Sequence, residues 1–163
     1  MRKLNFIIGV FAILLWGLPM TCKAENPMPT MVDEKSEVLK VINQVFDGMR
    51  KGDSAMISAT FYKEARLSTI YMKEDQPVLH EGSLSQFLVS VGTPHEKVYD
   101  ERIWDPVVQI DGHMASVWVN YAFYHGTDFS HCGVNAFQLF KDETGWKIVN
   151  LIDTRRKEDC NQP

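Results

Sequence analysis

The apolar positions follow two different periods. Val38, Val41, Ile42, Val45, Phe46 and Met49 recur at three- and four-residue spacing, the stripe of an amphipathic helix that Gly52 ends. Ser54 is placed to cap a second, short helix through Phe61, which would bury Met56, Ile57 and Phe61. Strand-like runs follow at 66–72 and 77–80. Ser83 then caps a third helix with Leu84, Phe87, Leu88 and Val91 inward and Gly92 at its end. From residue 99 the pattern becomes that of strands. Residues 99–110 form one, and Pro106 inside it requires an edge or a bulge, because proline donates nothing to a ladder. Asp111-Gly112 is a hairpin signal. Residues 114–124, 132–140 and 146–154 read as three further strands, joined by turns at 126–129 and 142–145. Helices first and an antiparallel meander afterwards make an α+β fold. A long, bulged sheet twists and curls, and helices on its concave side leave a cone-shaped cavity.

The N-terminus changes the picture of what folds. Arg2 and Lys3 precede an apolar run at 6–16, and Cys22-Lys23-Ala24 puts small residues before Glu25. This predicts a signal peptide over 1–24 and an exported protein, periplasmic or secreted, with no stable membrane anchor after cleavage. Residues 25–34 read as a flexible leader, 35–157 as the domain and 158–163 as a tail. Cleavage would remove Arg2, Lys3 and Lys23 and no acid, leaving 14 basic residues against 21 acidic ones. Such a surface repels phosphate backbones and argues against a nucleic-acid partner. Cys132 and Cys160 would be the remaining cysteines, and an oxidising compartment favours a disulfide between them over two separate thiols.

The segments "VINQVFDGMRKGD", "FYKEARL" and "HCGVNAFQLFKDETGWKIVNLIDTRR" resemble the nuclear transport factor 2-like superfamily, in its SnoaL-like and putative lumazine-binding branch. The resemblance spans about residues 35–157. It implies a cone-shaped α+β barrel, a curved antiparallel sheet covered by about three N-terminal helices, often a homodimer through the sheet. Members of the superfamily include isomerases, dehydratases, polyketide cyclases and binding or scaffold proteins. Its enzymes use Asp, His or Tyr inside the cone as acid and base.

Candidate chemistry rests on which strand residues share a face. Pairing Phe140 with Trp146, and Tyr124 with His131, puts Trp118, Asn120, Tyr124, His131, Asn135, Asp153 and Arg155 on one face. Val117, Val119, Tyr121, Phe123, Val134, Ala136, Trp146, Ile148 and Ile152 then take the other. One reading makes the polar face the cone lining. His131 is then the acid or base, Asp153 fixes its tautomer, and Trp118, Asn120, Tyr124, Asn135 and Tyr71 contact a ligand. The other reading makes the polar face the outer, solvated one. A slip of one residue would undo the grouping. His80-Glu81 sits near the expected mouth. His125, Asp128 and His131 match no established metal-ligand spacing, and no motif calls for a cofactor. The sequence thus points to an exported small-molecule-binding module of unknown ligand. The alternatives are an isomerase-, dehydratase- or cyclase-like enzyme using His131 and Asp153, and a dimerising interaction domain.

Overall fold

The computed structural model describes residues 31–160. The expected signal peptide, the leader up to residue 30 and the last three tail residues lie outside the described residues. Three helices and six strands follow in the order α1 (Met31–Lys51), α2 (Ser54–Ser58), β1 (Phe61–Lys73), β2 (Gln76–Ser83), α3 (Leu84–Gly92), β3 (Tyr99–Asp111), β4 (Met114–His125), β5 (Asp128–Asp142) and β6 (Gly145–Arg155). Residues 31–34, read as leader, already belong to α1. The second helix is shorter than its apolar residues suggested. Its cap is Asp53, whose side chain accepts the Met56 N–H at 2.8 Å, and Phe61 already opens β1. Ser83 caps α3 as expected, accepting from Gln86 N–H.

The strands form one sheet in the order β2-β1-β6-β5-β4-β3. β1 and β6 run parallel and all other neighbours antiparallel. The two end strands are not bonded to each other, so the expected barrel is an unclosed cone. Pairing is interrupted at four places: Phe61/Arg66 in β1, Trp104/Val107 in β3, Phe123/Tyr124 in β4 and Gln138/Leu139 in β5. Each extra residue bends its strand, and together they curl the sheet. Pro106 sits inside the β3 irregularity on an edge strand, where its missing N–H costs no ladder bond.

The α1 stripe packs into the concave face. Val38, Ile42, Val45, Phe46 and Met49 are buried against Val117, Val119, Phe137, Leu139, Trp146 and Ile148. This fills one end of the cone. Arg50, near the end of α1, donates to the Glu101 backbone carbonyl at 3.1 Å and ties the helix to β3.

Cys132 and Cys160 form a disulfide. It closes the chain onto β5 just beyond a two-way backbone bridge, in which Cys132 and Arg156 exchange N–H···O bonds of 2.9 Å each. The cysteines are 28 residues apart. On the chain-entropy model, replacing both with alanine should cost about 3.5 kcal/mol, less any strain in the bridge. Urea unfolding under non-reducing conditions reads this directly. Equal midpoints for the double variant and the parent would show that the closure contributes nothing.

Candidate functional site

The other end of the cone is open. A cavity of about 1090 Å³ lies between the sheet, the end of α1 and α3. Its apolar walls include Val45, Leu67, Phe87, Phe123 and Leu151, and its floor is polar.

The floor is built by alternation along β4, β5 and β6. Tyr121 pairs with Gly133, Phe123 with His131, and Asn135 with Asp153. Gly133 carries no side chain, so the Tyr121 ring passes over it to β6. There the Tyr121 hydroxyl donates to the Thr154 carbonyl at 2.9 Å and lies 3.2 Å from Asp153 Oδ2. Asp153 also accepts from Thr69 Oγ1 at 2.6 Å and from Arg155 Nε at 2.9 Å. Arg155 Nη2 donates to the Thr69 hydroxyl at 3.3 Å. The Asp153 charge is thus held by two hydroxyls and a guanidinium.

Beside this group, the buried Asn135 donates from Nδ2 to Glu101 Oε1 at 2.7 Å. Glu101 keeps some exposed surface, but it lines the cavity, with protein on its other sides. Burial pushes its carboxyl up from the ordinary 4.5 to about 7, the Asn135 hydrogen bond opposes this, and the nearby Asp153 charge adds to it. Tyr121 is pushed above its ordinary range, first by burial and then by the charges of Asp153 and Glu101. His131 is pulled down from 6.5 to about 4, first by burial and next by Arg155, against an opposing pull from Asp153. Its imidazole is therefore neutral at neutral pH. Its Nδ1 is 3.0 Å from the Ser130 hydroxyl, and its ring packs beside Tyr121 and Phe123.

The sequence-derived face grouping is corrected in β4 and in the first half of β6, where the irregularity at Gln138/Leu139 puts Trp146 and Ile148 on the concave face with Asp153 rather than opposite it. The β4–β5 connection is the two-residue turn Gly126-Thr127, and the pairing shifts between Phe123 and Tyr124. This slides β4 by one residue relative to the expected register. Val117, Val119, Tyr121 and Phe123 thereby join His131, Gly133 and Asn135 on the concave face. Trp118, Asn120 and Tyr124 move to the convex face, where Trp118 is 56% exposed and Arg102 lies over the Tyr124 ring. The β5–β6 register shifts by two residues at Asn135, which preserves parity, so Asp153 and Arg155 stay on the face of His131. Asp153 does not fix the His131 tautomer, since its bonds go to Thr69, Tyr121 and Arg155 and the His131 Nδ1 contact is Ser130. Tyr71 and His80 line the cavity, and Glu81 does not.

Glu101 escaped the sequence reading. A signal was present: Glu101 alternates in phase with Tyr99 and Ile103, both packed against the core. A carboxylate in phase with two core residues faces inward.

Comparison with known proteins places this geometry in a family. The family model described as "Putative lumazine-binding" matches residues 33–152. The chain belongs to this lumazine-binding-like family. Solved structures similar to this lumazine-binding-like chain are described as nuclear transport factor 2-like. One is a protein of unknown function from Shewanella baltica OS155, with 19% identity and a TM-score of 0.62 over 80% of this chain and 99% of that one. Another, from Novosphingobium aromaticivorans and described as having a cystatin-like fold, has 9% identity and a TM-score of 0.62 over 78% of this chain and 85% of that one. A third, from Streptomyces avermitilis and described as a "putative dehydratase", has 15% identity and a TM-score of 0.58 over 74% and 94%. At these identities the likeness establishes the fold alone. No curated protein matches the sequence.

Proposed function

We propose that the cone binds a small organic molecule, its polar edge against Glu101, Asn135 and Asp153 and its apolar body against Leu67, Phe87 and Phe123. One observation carries this reading. A large cavity with apolar walls converges on a few hydrogen-bonding groups, one of them a carboxyl with a strongly raised pKa. The family description supplies a first probe. Lumazine is a flat bicycle whose imide edge offers both a donor and acceptors, which a carboxyl and an amide side by side can match. Export, with cleavage before Glu25, belongs to the same proposal, and the disulfide fits an oxidising compartment.

Native mass spectrometry of the protein from its own host addresses both parts. The expected result is a mature chain starting at Glu25 with a small-molecule adduct lost on denaturation. Lumazine is expected to raise the melting temperature of ligand-free protein, and less so for Glu101→Gln. A bare mass from the host, together with no lumazine effect, would remove the support for a binding module.

Proton-transfer chemistry of the isomerase, dehydratase or cyclase kind is the second reading. It is favoured by Glu101, which can hold or release a proton near neutral pH inside the cavity. On this reading Glu101, rather than a His131–Asp153 pair, is the acid–base group. Any substrate identified should still bind to Glu101→Gln but not be turned over by it. Full turnover by that variant would exclude Glu101 from the chemistry.

A further inference from the structure

We propose that the mouth of the cone carries an anion subsite, so that the ligand is an organic acid with an apolar body and an acidic group at its outer end. The inference rests on the reading of the cone as a small-molecule pocket and specifies its ligand class. Floor and mouth differ in how their charges are satisfied. On the floor, Asp153 is matched by Arg155 and Glu101 is bonded by Asn135. Toward solvent, the exposed ionisable side chains lining the cavity are His80, His125, Arg155, Arg156 and Lys157, with Glu158 the acid among them. Arg156 donates from Nε to the Asp159 backbone carbonyl, a neutral partner. Among the described residues neither Arg156 nor Lys157 has a carboxylate partner.

This concentration runs against the composition of the chain, which has 21 acidic residues and 17 basic ones. It is also held in place. Arg156 is locked to Cys132 by two backbone hydrogen bonds, and the Cys132–Cys160 disulfide anchors the segment four residues later. Lys157 lies between the two anchors. A low-dielectric cleft whose rim carries an excess of one sign of charge, here Arg155, Arg156 and Lys157 against Glu158, focuses its field on the opening. The buried side of the mouth registers that field: after burial, Arg155, His125 and Lys157 all act to keep His131 unprotonated, with Asp153 opposing. An acidic group at the rim would meet Arg156 and Lys157 there, while the apolar body enters between Phe87 and Phe123.

Two dyes with one ring system test this. 8-Anilinonaphthalene-1-sulfonate is anionic, and N-phenyl-1-naphthylamine is its neutral counterpart. Fluorescence titrations on the full chain at one pH are expected to show mutual displacement and tighter binding of the sulfonate, by at least about fivefold, falling as salt is raised. The double variant Arg156→Gln/Lys157→Gln, both at exposed positions, should lose that preference, keep its affinity for the neutral dye within about twofold and melt as the parent does. Equal binding of the two dyes, or a preference that survives in the double variant, would overturn the anion subsite and leave the pocket standing. Binding of the sulfonate without displacement of the neutral dye would place it outside the cone and also overturn the subsite. Binding of neither dye would overturn the pocket reading and this inference with it.

Discussion

Gly133→Ala is expected to destabilise the protein by about 3–5 kcal/mol, far more than one added methyl usually costs. A Cβ at this position would overlap the Thr154 carbonyl oxygen, and would stand 2.8 Å from the Thr154 carbonyl carbon and 2.9 Å from the Tyr121 ring. Two of these three atoms are backbone, so relief requires β6 to move rather than a side chain to rotate. Such a movement would break the Tyr121 bonds to Thr154 and Asp153 that cross Gly133. Urea unfolding should show the loss of stability, and near-UV circular dichroism should show a changed environment for Tyr121. The Gly48→Ala variant makes a useful comparison. Its added Cβ would press first on the Ile57 side chain, at 2.5 Å, where relief is easier. A Gly133→Ala variant within about 1 kcal/mol of the parent would show that β5 and β6 are spaced differently at this point.

Glu101→Gln and His131→Gln are expected to tilt the pH dependence of stability in opposite directions. The folded Glu101 carboxyl holds its proton up to about pH 7, while an unfolded glutamate releases it near 4.5. Between these values the folded state binds more protons, so raising the pH favours unfolding. The loss amounts to about 3 kcal/mol once the pH exceeds 7. His131 works the other way. It protonates near 4 in the folded protein and near 6.5 in the unfolded chain. Between these values the unfolded state binds more protons, so raising the pH favours folding. Discounted for its partial exposure, this contributes about 2 kcal/mol. In the parent the two slopes oppose each other from about pH 4.5 to 6.5, and stability should be nearly flat there. Glu101→Gln keeps the Asn135 hydrogen bond through its amide oxygen, and it should gain stability steadily with pH over this window. His131→Gln should lose stability with pH and continue to lose it up to about 7. By pH 7 the two variants should have diverged by about 5 kcal/mol relative to pH 4.5. Urea midpoints across this range decide the matter. Parallel profiles for the two variants would show that neither group is shifted as its surroundings require.

Much of the fold was legible in the residues because its causes are local. The α1 stripe, the Ser83 cap, the interruption at Pro106 and the turn after Asp111 each follow from a few neighbouring residues. The cysteine pairing was legible for a different reason, since the predicted export left two cysteines to join. The polar floor was only partly legible. His131, Asn135, Asp153 and Arg155 were grouped correctly because the β5–β6 register differs from the expected one by an even number at Asn135. Trp118, Asn120 and Tyr124 were grouped with them wrongly because β4 is slid by an odd number.

The elements, their order and the α+β class follow from the residues alone, because helical and strand periods and turn chemistry act over a few residues. Which face of β4 looks into the cone depends instead on the assembled sheet. Side chains alternate with a period of two, so the one extra residue, Ser130, at the irregularity opposite Phe123 and Tyr124 exchanges every side chain on the strand beyond it. Long-range packing settles that choice: the α1 stripe needs Val117 and Val119 beneath it, and Tyr121 needs the gap at Gly133 to reach β6. The same packing turns Glu101 inward and sets its proton affinity. A side chain's burial and the charges around it come from strands far apart in the chain.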